Sequence, residues 1–414
     1  MVHMEKVSKS LVISLSFYLV YVFMPVTRLL PSALKAGFIM FALLFFICHL
    51  LNKRSKLLIS TFLCCIGLVA VDFLIYYGVW RDNDAVVLFD KSLMLFVFWM
   101  PLLYAPAIMI SSSRTKKYVF IIFLSSFFVE MTTTMIGNIV FPMASRTLAS
   151  TQDLIQNRLF QAANIGGYGF IYAMTFALPL WFYLYRSFSK KYILPILFSL
   201  LTVALASYMT AITLSILGLL FSFAIKNRKA LFVGLITIAI IFIFKDFFLN
   251  ALNTLSEMAY SSDNHILGER ISNIRGVLMK EEASGDLGYR DELRNSSIMA
   301  FWASPLLGNL VGDFRTLGLH SEFVDWLGGL GLLGFLFIIL VILPRIKKYL
   351  SYFRQTALKR YLYITFAMCF AFGFLNVITT APEISSVMFI FPLTILGKLA
   401  AFDIPQKKNY YGRL

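Results

Sequence analysis

The amino-acid sequence predicts an all-α polytopic membrane protein of about twelve transmembrane helices, with one large helical loop on one side of the membrane. Of its 414 residues, 59% are hydrophobic and only 14% are charged, whereas about a quarter of the residues of a soluble domain are charged. Apolar runs long enough to span a bilayer recur along almost the whole chain. Since no stretch is polar enough to form a separate soluble domain, we expect residues 1–414 to form a single integral domain.

The predicted spans follow one another with mostly short connections. They lie near 11–24, 34–51, 57–80, 93–110, 118–141, 162–185, 192–207, 210–225, 230–248, 324–343, 361–378 and 384–402. The seventh and eighth spans share one apolar run that is divided at Ser207, Tyr208 and Met209. A single tilted span at this place would invert the topology of everything downstream.

The distribution of Lys and Arg supports twelve spans and gives them an orientation. With the N-terminus inside, every second loop is basic, which is typical of cytoplasmic loops. The basic loops are 52–56, 111–117, 185–191, 226–229 and 345–360, and the tail after 402 is also basic. The net charge of +16 is therefore explained by contact with anionic lipid, and the sequence predicts no nucleic-acid partner.

One long segment, residues 246–323, falls on the opposite, external side, where all other loops are short. It contains several arginines and two histidines, and parts of it have helical periodicity. Loops of this length in compact folds are usually functional or disordered. Because the segment is also rich in apolar and aromatic residues, we expect a folded helical cap over an external cavity.

The most informative motif overlaps the end of this segment. It consists of an arginine ahead of a helix, a Pro-x-x-Gly turn, a histidine followed by a small polar residue, and a glycine-rich helix start. This order resembles the signature of the bacterial O-antigen polymerase and O-antigen ligase family. The matching residues are Arg290, Pro305, Gly308, His320, Ser321, Gly331 and Gly334.

A second match lies in NRLFQAANIGGYG, where Arg158 and Asn164 fall at the outer mouth of a span, as Arg and Asn often do in that family. The layout of twelve spans with one large late periplasmic loop is also similar to the family and resembles the GT-C type of glycosyltransferase. One departure is that residues 206–210 read ASYMT, whereas the family often has a Ser-x-Ser-Arg-like element there. One cationic contact to phosphate must therefore come from another residue or be missing.

The resemblance implies a glycosyltransferase of the bacterial inner membrane whose active site faces the periplasm. Such an enzyme passes a glycan from undecaprenyl diphosphate to a sugar hydroxyl by inverting transfer, without a metal or other cofactor. The implied partners are an undecaprenyl-diphosphate-linked oligosaccharide, membrane lipid and a chain-length regulator.

Three functions fit this resemblance to different degrees. The residues His-Ser-Glu at 320–322 favour a polymerase of polysaccharide repeat units over a ligase that transfers glycan to the lipid A core of lipopolysaccharide, since such ligases more often have His-Asn there. A transporter of lipid-linked oligosaccharide is an alternative of another class. It predicts inverted repeats, and the sequence shows no such symmetry.

The candidate site residues follow from the chemistry that the resemblance implies. Guanidinium groups suit a diphosphate because their forked donors bind phosphate oxygens bidentately, although an Arg in an acid-rich loop is more often a solvated ion-pair partner. The candidate diphosphate ligands are Arg290, Arg270, Arg158 and Arg294. The candidate general base is His320, with Glu322 as its rival, and the alternative for His320 is a cap or anchor of the span that follows.

Two acids lie inside predicted spans, Glu130 and Asp72. Intramembrane ionisable residues are functional hypotheses by default, and the alternative for each is a structural hydrogen bond to a neighbouring helix. The triplet at residues 82–84, Asp-Asn-Asp, has the Asp-x-Asp pattern that chelates metals in many glycosyltransferases, but such triplets arise by chance and we predict no metal site. Glycines in 328–334 predict close helix packing, and Asp325 is expected to be a helix N-terminal charge.

Overall fold

The computed structural model describes residues 7–53, 55–80, 85–142, 144–148, 154–225, 245–261, 268 and 286–400, and these residues form helices and connections without any β-strand. The predicted all-α class is therefore confirmed for the part of the chain that the structure describes. The helices are α1 (Lys9–Phe23), α2 (Ser32–Lys53), α3 (Lys56–Trp80), α4 (Ala85–Met109), α5 (Ser113–Val140), α6 (Ala144–Thr147), α7 (Leu154–Ala162), α8 (Tyr168–Ser187), α9 (Ile193–Ala206), α10 (Met209–Ala224), α11 (Lys245–Ser261), α12 (Asp286–Ala303), α13 (Glu322–Tyr352), α14 (Leu358–Gly373), α15 (Pro382–Phe389) and α16 (Phe391–Ala400).

Five of these helices are long and apolar enough to cross a membrane, namely α2, α3, α4, α5 and α13. Shorter apolar helices are α1, α10 and the stretch formed by α15 and α16. Together they coincide with eight of the predicted spans. Helices α8, α9 and α14 overlap three more predicted spans without meeting the same criteria of length and hydropathy, and most of the predicted span 230–248 lies outside the described residues.

The break predicted between the seventh and eighth spans is present. Helix α9 ends at Ala206, and Ser207 adopts a left-handed conformation with φ of 55° before α10 begins at Met209. The hydroxyl of Tyr208 donates to the carbonyl of Ser145, close to the end of α5, at 3.0 Å. Two separate helices therefore occupy this apolar run.

Side-chain hydrogen bonds gather particular helix ends at one end of the bundle. Ser8 and His49, at the start of α1 and near the end of α2, pair through Oγ and Nδ1 at 2.8 Å. Lys116, in the first turn of α5, donates from Nζ to the Met109 carbonyl at the end of α4 and to the Tyr352 hydroxyl at the end of α13. These helix ends adjoin the basic loops of the sequence, and we refer to this side of the molecule as the basic end.

A buried aromatic cluster packs α1, α5, α8 and α16 together. The rings of Trp181 and Phe391 have centroids 4.6 Å apart, and Phe123 stacks on Phe391 at 4.8 Å. Phe127, on the next turn of α5, contacts Trp181 and Phe23. Helices in a membrane associate through such packing rather than through the hydrophobic effect. The cluster also fixes the position of the next turn of α5, which contains Glu130.

Helix α13 is broken at Gly331, whose φ of 63° and ψ of −171° are not helical. The turn at residues 305–308 enters the break. The amide of Leu332 donates to the Pro305 carbonyl at 2.8 Å, and the amide of Leu333 donates to the Leu306 carbonyl at 3.2 Å. Amides freed by the break are thereby hydrogen-bonded inside the protein, as the bilayer interior requires.

The glycines of this region allow two backbones to approach closely. A Cβ atom at Gly308, where φ is 58°, would lie 2.5 Å from the Gly331 nitrogen and 2.6 Å from the Gly328 carbonyl oxygen. Any side chain at Gly308 would therefore collide with backbone. The prediction that the glycine-rich start of this helix serves close packing is confirmed.

Candidate functional site

The connection between α14 and α15, residues 374–381, is irregular and mostly buried at the end of the bundle opposite the basic end. We call it the α14–α15 connector. Irregular backbone at membrane depth is tolerated where protein groups or water satisfy it. Here the carboxylate of Glu322, the first residue of α13, accepts hydrogen bonds from the amides of Ile378 at 2.8 Å and Thr379 at 3.0 Å. Glu322 therefore holds the connector in place.

Two tyrosines hold the α14–α15 connector from other sides. The hydroxyl of Tyr168, at the start of α8, donates to the Val377 carbonyl at 3.1 Å. The hydroxyl of Tyr76, near the end of α3, pairs with the hydroxyl of Thr379 at 3.1 Å. The connector is thus fixed to α3, α8 and α13.

The predicted base, His320, lies directly before α13 and is half-buried. The neighbouring backbone is held by Asp325, whose carboxylate accepts from the amide of Ser321 at 2.8 Å and from the hydroxyl of Ser297 on α12 at 2.5 Å. Asp325 thus lies in the first turn of α13, where the sequence placed a helix N-terminal charge. It also binds α12 to α13 beside His320.

The rival base, Glu322, accepts hydrogen bonds from two amides and one hydroxyl of the connector. Besides the two amides, the Thr379 hydroxyl lies 2.9 Å from its Oε2 and 3.0 Å from its Oε1. A carboxylate that accepts these bonds is restrained in one orientation, toward the connector. The geometry favours a positioning role for Glu322, and His320 is the better candidate for the base.

A buried ion pair lies at the far side of the connector. Arg28, in the turn Pro25–Leu29 that follows α1, contacts Glu383 in the first turn of α15. The side chain of Glu383 is 2% exposed and that of Arg28 is 27% exposed. Sequence reasoning missed both residues. The available signals were an acid next to the helix-initiating Pro382 of an apolar segment and an arginine in a short loop between two predicted spans.

Glu130 joins this pair to form what we call the charged cluster, Arg28, Glu130 and Glu383. Both carboxylate oxygens of Glu130 are buried without a hydrogen-bond partner among the described residues. Burial by itself lowers the pKa of Arg28, but Glu383 and Glu130 together raise the pKa above its ordinary value. Arg28 therefore stays charged, and the cluster holds two carboxylates for one guanidinium.

The loop between α7 and α8 lies directly over the charged cluster. Its residue Asn164 is left-handed, with φ of 57°, and its carbonyl accepts from the Thr133 hydroxyl at 2.6 Å. The amide of Gly166 donates to the Thr134 hydroxyl at 2.7 Å, and a Cβ atom at Gly166 would lie 2.8 Å from Oε1 of Glu130. The absence of a side chain at Gly166 lets this backbone cover the carboxylate.

Helix α7 brings one predicted arginine close to the charged cluster. It packs against the turn Pro25–Leu29 that carries Arg28, and it presents Arg158 with an exposed side chain. Two arginines, one predicted and one missed, therefore lie on contacting elements at the same end of the bundle.

The other predicted residues have different placements. Asp72 is buried and accepts a hydrogen bond from Trp99 Nε1 at 2.6 Å, which is the structural alternative left open above. Arg294 is half-buried on α12. Arg290 falls in α12, but its side chain lies outside what the structure describes, as do Arg270 and the triplet 82–84. Within the described ranges, no group of three His, Cys, Asp or Glu residues is arranged to hold a metal ion.

Comparison of the chain with protein-family models finds no match, and comparison with curated proteins finds none either. A function for this chain therefore rests on its own motifs and geometry.

Proposed function

We propose that this chain is a glycan polymerase of the O-antigen polymerase type, which extends a lipid-linked surface polysaccharide at the periplasmic face of the bacterial inner membrane. The main support is that the α14–α15 connector joins two groups of ionisable residues: Ser321 and Glu322, which follow His320, contact it, and Glu383 of the charged cluster lies in the helix that it enters. Ionisable groups buried in a membrane protein usually mark a functional site. His320 and the charged cluster both lie at the end of the bundle opposite the basic end. The distribution of basic loops assigns that end to the periplasm.

The proposed topology has twelve spans with both termini in the cytoplasm. It is supported by the separation of α9 from α10 and by the helix ends that meet at the basic end. These ends are the starts of odd-numbered predicted spans and the ends of even-numbered ones. Neighbouring spans therefore run in opposite directions, as successive crossings of a membrane require.

Cysteine labelling tests this topology. In a variant without the four native cysteines, a cysteine at Ser284 is expected to react with an impermeant thiol reagent in whole cells with a permeabilised outer membrane. A cysteine at Ser351, in the last turn of α13 at the basic end, is expected to react only after the inner membrane is opened. Labelling of position 351 but not of position 284 would refute the orientation.

In the proposed reaction, the oxygen of a sugar hydroxyl attacks the anomeric carbon of the glycan as its bond to undecaprenyl diphosphate breaks. His320 accepts the hydroxyl proton. Arginines stabilise the departing diphosphate, since a guanidinium neutralises the negative charge that develops on the leaving oxygen. The proposed ligands are Arg158 and Arg290, with Arg270 and Arg294 as further candidates, and the reaction uses no metal ion. Glu322 holds the connector, and Asp325 holds the backbone at Ser321, next to the base.

The charged cluster contributes in a different way. Arg28 and Glu383 tie the turn after α1 to the start of α15, and Glu130 lies beneath the loop that leads from α7 into α8. The cluster therefore sets the position of α7 and of Arg158. Its second carboxylate, that of Glu130, makes no hydrogen bond to a described residue.

The product distinguishes the polymerase from the ligase. Purified protein that is given only lipid-linked repeat units is expected to make a ladder of longer lipid-linked glycans, in excess EDTA as well as without it. A product that forms only after lipid A core is added would identify a ligase. Loss of product in EDTA with recovery on adding magnesium or manganese would contradict metal independence and direct attention to residues 82–84.

A further inference from the structure

A groove of about 520 Å³ lies between α3 and α13 at the basic end, far along both helices from His320 and the α14–α15 connector. One wall is the stripe of α3 that runs from Lys56 through Leu63 to Gly67, and the other is Phe337 and Arg345 on α13. Apart from the two cations and Ser60, its lining is apolar. The groove is thus a long apolar trough with positive charge at one end.

The two cations stand where the groove opens at the basic end. Arg345 donates from Nη1 to the carbonyl of Val341 at 2.9 Å and from Nη2 to the hydroxyl of Ser60 at 3.3 Å. Its guanidinium is therefore held across the gap between the two helices. Lys56, the first residue of α3, is exposed beside it. No described carboxylate forms an ion pair with either cation, so among the described residues this end of the groove has positive charge without a contacting negative charge.

The length of the groove matches one half of a bilayer. From Lys56 to Gly67 the helix rises by about 16 Å, and half of the hydrocarbon thickness is about 15 Å. Gly67 lies at the inner end, and a Cβ atom placed on it would meet nothing within 4 Å. An acyl chain that follows the groove from the cations would therefore find open space down to the middle of the membrane.

We propose that this groove binds an anionic phospholipid, with its phosphate at Lys56 and Arg345 and one acyl chain along α3 as far as Gly67. Basic pockets between transmembrane helices are known to bind lipid head groups. Both halves of the ligand are recognised, since the cations select the negative head group and the apolar walls select the chain. The site is independent of the glycosyl transfer proposed above.

The proposal is tested by measuring lipid binding to the full-length protein, purified in detergent and delipidated, by native mass spectrometry with added phosphatidylglycerol or phosphatidylcholine. The wild type is expected to retain one phosphatidylglycerol in preference to phosphatidylcholine. The double variant Lys56→Ala/Arg345→Ala is expected to bind phosphatidylglycerol about 30-fold more weakly, from the typical contribution of two basic residues. Gly67→Leu is expected to displace the acyl chain while leaving both cations in place.

Two matched controls separate this site from general surface effects. Arg354→Ala/Arg360→Ala removes the same charge from exposed residues near the basic end that do not line the groove. Gly37→Leu adds the same side chain to α2 at another glycine with nothing within 4 Å of its Cβ position. Both controls should bind as the wild type does. The proposal would be overturned if phosphatidylcholine were retained equally, if Gly67→Leu bound phosphatidylglycerol as the wild type does, or if the control variants lost as much binding. If Gly67→Leu fails to fold, the result with Lys56→Ala/Arg345→Ala decides.

Discussion

Glu383→Gln is expected to lower the free energy of unfolding by about 3 kcal/mol, because it removes the one carboxylate that contacts Arg28 and leaves only Glu130, which makes no hydrogen bond to the guanidinium, to balance its charge. Breaking a buried ion pair from one side typically costs about 3 to 5 kcal/mol, and the lower value is expected here because Arg28 keeps 27% of its side-chain surface exposed. The measurement is the fraction of folded protein left after heating in detergent, followed by size-exclusion chromatography.

The matched control is Asp313→Asn, which breaks the pair between Asp313 and Arg315 by the same chemical change. These side chains are 42% and 52% exposed, so the expected cost is at most about 1 kcal/mol. The double variant Arg28→Gln/Glu383→Gln should regain part of the loss, since the guanidinium that has lost its contacting carboxylate is also removed. If Glu383→Gln were as stable as Asp313→Asn, the charged cluster would not be a structural unit.

His320→Ala is expected to fold and reach the membrane normally yet to polymerise roughly 10²- to 10⁴-fold more slowly, the usual contribution of a general base. Glu322→Gln should behave in the opposite way. It replaces the charged oxygen that accepts from the amides of Ile378 and Thr379 with a neutral amide oxygen, and hydrogen bonds to charged groups contribute more, so stability should fall by about 1 to 3 kcal/mol. The rate per folded molecule should stay near that of the wild type.

The two variants are compared through the rate of ladder formation and the thermal stability of the same purified samples. This comparison separates a chemical role from a positioning role because each variant is expected to change only one of the two measurements. Near wild-type polymerisation by His320→Ala, together with a folded but inactive Glu322→Gln, would show that the carboxylate is the base.

The sequence predicts the helices of this fold better than it predicts the site. Long apolar runs leave little alternative to helix in a membrane, and even the break at Ser207 is visible as a polar interruption. The pairing of Arg28 with Glu383 joins residues 355 positions apart, and no local pattern encodes such a contact. Glu130 could be singled out as an acid in an apolar run, but its neighbours could not.

The role of Glu322 illustrates the same limit. In the sequence it is one of two ionisable residues within a single turn, and their chemistry cannot be separated there. The amides that occupy its carboxylate belong to the α14–α15 connector, which the sequence presents only as the short interval between two predicted spans. Only the fold shows that this interval is buried and needs an acceptor.

The break at Gly331 also has a consequence for the biogenesis of the protein. It divides α13 into an arm at 322–330, about 14 Å long, and an arm at 332–352, about 32 Å long. The hydrocarbon layer is about 30 Å thick, but the second arm is apolar only from 332 to 344, about 20 Å, because Arg345 and the lysines after it belong to the basic end. Both arms are therefore needed to make one complete membrane span. The break must enter the membrane with them, and the carbonyls of the turn at 305–308 supply the acceptors for the amides that it frees.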